Sequence, residues 1–189
     1  GVVNGATLTA DRFGNPNSAY SFDGSSDISV PNPSSLSAVN TVSLWLNLNA
    51  IGSYNYAIDF GDANVHQNNN WIEILPDGTF RTGTGSLCCG VYDTVQLAAG
   101  QWYMLTRSFD GTELHAYVNG VSVGTTVTSG EAPVGLAMGT PIRQPGHKLN
   151  GLLDDVYIYD RALSASEVQT LYSVVPEPNT ALLLGIGLA

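Results

Sequence analysis

The chain has 189 residues, a formal net charge of −10 and only six Lys and Arg. That balance repels phosphate backbones and anionic membrane surfaces and leaves too few cations for a basic patch, so it excludes nucleic-acid binding and attracts divalent cations instead. The length suits one domain with a two-sheet core. Abundant Gly, Ser, Thr, Asn and Val favour short strands and tight turns, so the expected class is all-β. The two cysteines, Cys88 and Cys89, are adjacent. They can staple no long loop and lack zinc-finger spacing, and they stand either as two packed or free thiols or as a strained vicinal disulfide.

The chain opens on Gly1 with no charged-plus-apolar leader, so it reads as a trimmed sequence. A Gly-Asn-Pro loop over residues 11–16 leads into AYSFDG at 19–24. TVSLWLNLN, residues 41–49, alternates strictly, which predicts a strand with Val42, Leu44, Leu46 and Leu48 inward and Ser43, Trp45 and Asn47 on the opposite face. Residues 56–60 predict another strand, and 71–75 pair through Pro76-Asp77-Gly78 with 79–82 as a hairpin. Asp110-Gly111 and Asn119-Gly120 join 101–109, 113–118 and 121–127 into a three-strand meander, because Asn-Gly and Asp-Gly tolerate the positive φ of hairpin turns. A short strand over 134–138 follows, for roughly ten to twelve strands in all.

GLLDDVYIY, residues 151–159, alternates so that Leu152, Asp154, Val156 and Ile158 share one face and Leu153, Asp155, Tyr157 and Tyr159 the other. Asp154 on an apolar face must either bind a cation or accept several hydrogen bonds. Ser164 and Glu167 have capping-box spacing, and Val168 and Leu171 form the apolar stripe of a short helix. After Ser173 the composition changes: Pro176 and Pro178 forbid regular pairing, and 181–189 is wholly apolar or glycine, shorter than the roughly 20 residues of a bilayer span and so either the first half of one or a short anchor.

Catalytic patterns are missing from the sequence. His66, His115 and His147 are isolated and no Gly-x-Ser-x-Gly elbow occurs. Glu73 in Trp-Ile-Glu-Ile-Leu has no second carboxylate two residues away and is expected to face solvent. The polar loop before Trp71 points to ligand recognition instead: Asn64, His66, Asn68, Asn69 and Asn70 offer bidentate partners for hydroxyls, Trp71 a stacking face, and Tyr92 a further contact.

The closing stretch, Gly-x-x-Asp-Asp-Val followed by Tyr159, Arg161-Ala-Leu-Ser164 and a helix, resembles LamG-like domains of the concanavalin A-like group. So do the Asp11-x-x-Gly-Asn15 loop with AYSFDG, and the Trp102-to-Gly120 succession. The resemblance covers nearly all of residues 1–173 and implies a two-sheet antiparallel jelly-roll sandwich lacking its first strand, with one C-terminal helix. It also implies a structural calcium, carried over to Asp154, Asp11 and Asn15, whose oxygens suit that ion. The glucanase Glu-x-Asp-x-x-Glu strand of the group does not occur here, so the expected function is a non-catalytic extracellular module binding polysaccharide or glycoprotein. The alternatives are adhesion to a surface protein or a matrix role, and last a glycoside hydrolase. Val175-Pro-Glu-Pro178 with the apolar run to Ala189 resembles the PEP-CTERM sorting signal of exported bacterial proteins, without its terminal basic cluster. That implies an exported, cell-surface protein, a sorting transpeptidase acting on residues 174–189, and membrane contact through this tail alone.

Overall fold

The computed structural model describes residues 1–30, 39–61, 70–84, 90–128, 135–142 and 146–173; at 84, 90 and 92–94 it describes the main chain. Fourteen strands and one helix make up this part of the chain: β1 (Val2–Asn4), β2 (Thr7–Thr9), β3 (Ala19–Asp23), β4 (Asp27–Val30), β5 (Thr41–Leu48), β6 (Asn55–Asp59), β7 (Asn70–Ile74), β8 (Thr79–Thr84), β9 (Gly90–Gln96), β10 (Trp102–Phe109), β11 (Glu113–Val118), β12 (Val121–Val127), β13 (Leu136–Met138), β14 (Asn150–Tyr159) and α1 (Ala165–Ser173). They form two antiparallel seven-stranded sheets, a front sheet in the order β1-β4-β13-β6-β7-β8-β9 and a back sheet in the order β12-β11-β10-β5-β14-β3-β2. The sandwich is the jelly-roll architecture that the sequence implied. The strands beyond the expected ten to twelve include β1, β2 and β4, each too short to carry a readable alternation.

Alternation fills the core. Val42, Leu44, Leu46 and Leu48 of β5 face Ile58, Phe60, Ile72, Ile74 and Phe80 of the front sheet, all at most 2% exposed. Burial of that kind contributes about 1.5–3 kcal/mol per large apolar side chain. Two glycines are required by close approach. A Cβ on Gly78, at φ 88° in the β7–β8 turn, would stand 2.6 Å from the Leu97 carbonyl oxygen, and one on Gly151 would stand 2.5 Å from that of Asn47. Arg107 interrupts the apolar interior. It lies opposite Val42 and Ala116, fully buried. Burial pulls its pKa down to about 9, and no nitrogen of its guanidinium finds a hydrogen-bond partner among the described residues.

The helix closes the outer face of the back sheet. Ser164 and Glu167 form the expected capping box, with the Ser164 amide donating to Glu167 Oε2 at 2.8 Å and the Glu167 amide to Ser164 Oγ at 3.4 Å. Val168 packs with Met104, Tyr117 and Leu163. The hydroxyls of Thr41 and Ser108 each receive the Leu163 amide at 3.0 Å, which explains why these polar strand residues are buried.

Asp154 departs from the expected face. It pairs with Trp45 on the outer side of the back sheet, while Leu153 pairs with Leu46 and enters the core. A bulge between Asp154 and Tyr157, with Asp155 at φ 43°, then shifts the phase so that Ile158 pairs with Val42. One extra residue puts the residues before the bulge out of phase with those after it, so Asp154 and Ile158 lie on opposite faces.

Candidate functional site

The outer face of the front sheet carries a polar cluster that its strands place row by row. On β7, Ile72 and Ile74 point into the core, so Trp71 and Glu73 project to the other side. Tyr56 lies opposite Glu73, which lies opposite Arg81, and Asp59 lies opposite Trp71. A bulge between Tyr56 and Ile58 keeps Tyr56 and Asp59 on this outer face while Ile58 still turns inward. His147 joins them through its carbonyl, which accepts the Tyr56 amide at 3.2 Å.

Contrary to the expectation of a solvent-facing strand residue, Glu73 is fully buried. Arg81 Nε donates to its Oε2 at 2.9 Å, and Arg81 Nη2 is ion-paired to the same oxygen. The Arg81 guanidinium also covers the Trp71 ring at 4.9 Å. Burial raises the Glu73 pKa against the opposing pull of Arg81 and of a Tyr56 hydrogen bond. Burial, with the Glu73 charge adding to it, pushes Asp59 up to about 6 although the Ile142 amide donates to its Oδ2 at 2.8 Å. Burial and Arg81 lower the His147 pKa, which keeps its ring neutral at pH 7.

Among the described residues, four buried polar atoms of this face lack a hydrogen-bond partner: Asp59 Oδ1, Trp71 Nε1, Glu73 Oε1 and His147 Nδ1. Leaving such groups unmade costs about 1–3 kcal/mol each. Glu73 Oε1 and His147 Nδ1 stand 3.7 Å apart. Beside them, the rings of Tyr54 and His147 stack at 4.2 Å with planes 7° apart, and Tyr54 is 39% exposed. An exposed aromatic face of this kind suits the C–H face of a hydroxyl-rich ring, while the unpartnered atoms are closed to solvent and lie behind the surface that such a ring would touch.

Of the recognition residues expected from sequence, Trp71 belongs to this cluster, yet it is 2% exposed, so the accessible ring is that of Tyr54. Asn70 begins β7 and is buried, its carbonyl accepting the Phe60 amide at 2.9 Å. Asn64, His66, Asn68 and Asn69 lie outside the described residues, as do the side chain of Tyr92, whose main chain pairs with Arg81, and the cysteines Cys88 and Cys89. Residues 174–189 also lie outside them, and among the described residues no helix is long and apolar enough to cross a membrane. Asp59, Arg81 and His147 were not singled out by the sequence. The one available signal was the β7–β8 hairpin itself, whose register sets Arg81 against Glu73.

The three residues expected to hold calcium have other partners. Asp11 Oδ1 accepts the amides of Phe13 and Asn15 at 2.9 and 2.8 Å, and its Oδ2 accepts Asn15 Nδ2 at 2.8 Å. Asp154 Oδ2 accepts Arg12 Nη1 at 2.7 Å. Burial, then the Asp155 charge, raises the Asp154 pKa, and Arg12 opposes both. A hard cation takes six to eight oxygens converging on one point; among the described residues, both Asp11 oxygens and Asp154 Oδ2 are engaged by protein donors.

The sequence matches the Laminin_G_3 family model, described as the concanavalin A-like lectin/glucanases superfamily, over residues 22–169. No curated protein matches it. Among solved structures it is similar to a heptameric SAP-like pentraxin from Limulus polyphemus, with 22% identity over 81% of this chain and 80% of that one and a TM-score of 0.63. It is also similar to domain 4 of AbnA, a GH43 extracellular arabinanase from Geobacillus stearothermophilus solved with arabinotriose, with 24% identity, 91% and 82% coverage and a TM-score of 0.66. The CBM40 of Ruminococcus gnavus IT-sialidase, bound to α2,3-sialyllactose, shares 10% identity over 82% and 96% of the two chains, with a TM-score of 0.70. These likenesses establish a shared fold.

Proposed function

Because the chain belongs to the concanavalin A-like lectin/glucanases superfamily, we propose that it is a non-catalytic recognition module binding neutral, hydroxyl-rich polysaccharide on the outer face of its front sheet. The observation that carries this reading is the exposed Tyr54 ring, stacked on His147 at the border of a buried polar cluster in which atoms of Asp59, Trp71, Glu73 and His147 have no hydrogen-bond partner among the described residues. A neutral, hydroxyl-rich ligand stacks on that ring without adding negative charge to a chain already at −10. Structural relatives solved with arabinotriose and with sialyllactose support a carbohydrate ligand in general.

Recognition is favoured over hydrolysis because Glu73, the more deeply buried carboxylate, is held by Arg81 and so is poorly placed to give or take a proton. The proposal extends to location. The tail from Val175 to Ala189 supports export, processing by a membrane transpeptidase and display at the cell surface, and fractionation of the producing cells tests this.

A glycan array probed with the wild-type protein and with Tyr54→Ala tests the binding claim. The expected result is retention on neutral oligosaccharides, lost in the variant. Absence of any glycan signal overturns the reading in favour of adhesion to a surface protein, and shortened oligosaccharide products overturn it in favour of a hydrolase.

A further inference from the structure

We propose that Arg12 is a built-in cation standing where a metal ion was expected, so that this domain closes its two ends without calcium. Arg12 follows Asp11 in the loop between β2 and β3, and its Nη1 bridges two consecutive carboxylates of β14, at 2.7 Å from Asp154 Oδ2 and 2.6 Å from Asp155 Oδ2. Its backbone amide also reaches Asp154 Oδ2, at 3.4 Å. The guanidinium is clamped between rings, 4.3 Å from the centroid of Phe13 and 4.5 Å from that of Trp45. Trp45 in turn stacks on Tyr172 of α1 at 5.7 Å. One side chain thus ties the N-terminal loop, the central strand β5, the closing strand β14 and the C-terminal helix together.

The chemistry favours a guanidinium over a metal ion here. A planar, weakly hydrated cation is at home between aromatic faces, whereas calcium would have to shed water next to rings that offer it no oxygen. The Arg12 side chain is 7% exposed and that of Asp154 4%, so the pair is sealed. Asp155 sits at φ 43° in the bulge, and its ion pair to Arg12 helps to hold that backbone conformation. Asp11 and Asn15 spend their polar atoms on each other and shape the loop that delivers Arg12.

The test is thermal unfolding of the whole chain in millimolar calcium and in excess chelator, for the wild type, Arg12→Ala and Arg12→Lys. The wild-type Tm is expected to be the same in both solutions. Arg12→Ala is expected to lower it by roughly 10 °C, the scale for breaking a buried pair in a domain of this size. Calcium should restore part of that loss by taking up the freed carboxylates. Arg12→Lys, which keeps one charge but not the planar fork, should fall between the two and stay indifferent to calcium, and it carries the test should the alanine variant not fold. A wild-type Tm that rises with calcium, or an alanine variant that keeps the wild-type Tm or ignores calcium, overturns the proposal.

Discussion

The outer faces of the two sheets carry the same device and use it differently. On the back sheet a buried arginine, Arg12, meets Asp154 and Asp155 with its guanidinium over Trp45; on the front sheet Arg81 meets Glu73 with its guanidinium over Trp71. Around Arg12 both aspartates find donors, and among the described residues only its own Nε is left over as a buried side-chain atom. Around Arg81 an oxygen of Glu73, an oxygen of Asp59, the indole nitrogen of Trp71 and a ring nitrogen of His147 all remain without hydrogen-bond partners among the described residues. A satisfied arrangement of this kind holds structure together, and an unsatisfied one carries a cost that stability alone does not explain. The lesson is that a buried ion pair is read by its unspent valences rather than by its presence.

The comparison is sharpened first by breaking the front pair. Arg81→Ala leaves Glu73 buried without its counter-ion and is expected to cost about 3–5 kcal/mol in urea unfolding, comparable to the loss of Arg12 at the back. A cost below about 1 kcal/mol would mean that the front pair contributes no more than a surface one. The next effect is in pH. The folded-state pKa of Asp59 is about 6, above the roughly 3.9 of an unfolded aspartate. The folded state therefore holds this proton more tightly, and its contribution is full below pH ~4, falls as pH rises and is gone above pH ~6. Asp59→Asn should abolish that contribution, shrinking the difference in unfolding free energy between acid and neutral pH by about 2–3 kcal/mol; an unchanged difference would show that Asp59 titrates normally. The smallest effect belongs to the rim. Tyr54→Ala should weaken glycan binding by about tenfold, the worth of one aromatic contact, and shift stability by less than about 0.5 kcal/mol because the ring is exposed.

Much of the scaffold can be read from the chain itself. The Leu alternation of β5, the Asp-Gly and Asn-Gly turns of the β10–β11–β12 meander and the Ser164/Glu167 cap each encode their element locally, and each formed where expected. What escaped is what depends on a bulge or on coverage by other parts of the chain. The bulge at Asp155 moved Asp154 from the apolar face to the outer one, and a two-residue period has no way to announce an inserted residue. For Glu73 the alternation correctly separated it from Ile72 and Ile74, yet it could not show that the opposite face is buried as well. His147 belongs to no periodic segment and is recruited by a backbone hydrogen bond from Tyr56 and by its stack on Tyr54. The calcium expectation centred on the oxygens of Asp11, Asn15 and Asp154, while the residue between the first two, Arg12, is the one that reaches Asp154.

The most direct test of the front face as a recognition site is a calorimetric titration of the best-retained neutral oligosaccharide into the wild type and into Tyr54→Ala at pH 7. Alanine removes the exposed ring and leaves the buried Glu73–Arg81 pair behind it in place, so the titration reads the contact alone. The account predicts a Kd about tenfold weaker in the variant, with an unfolding transition still cooperative. Equal affinity in the two proteins would contradict it.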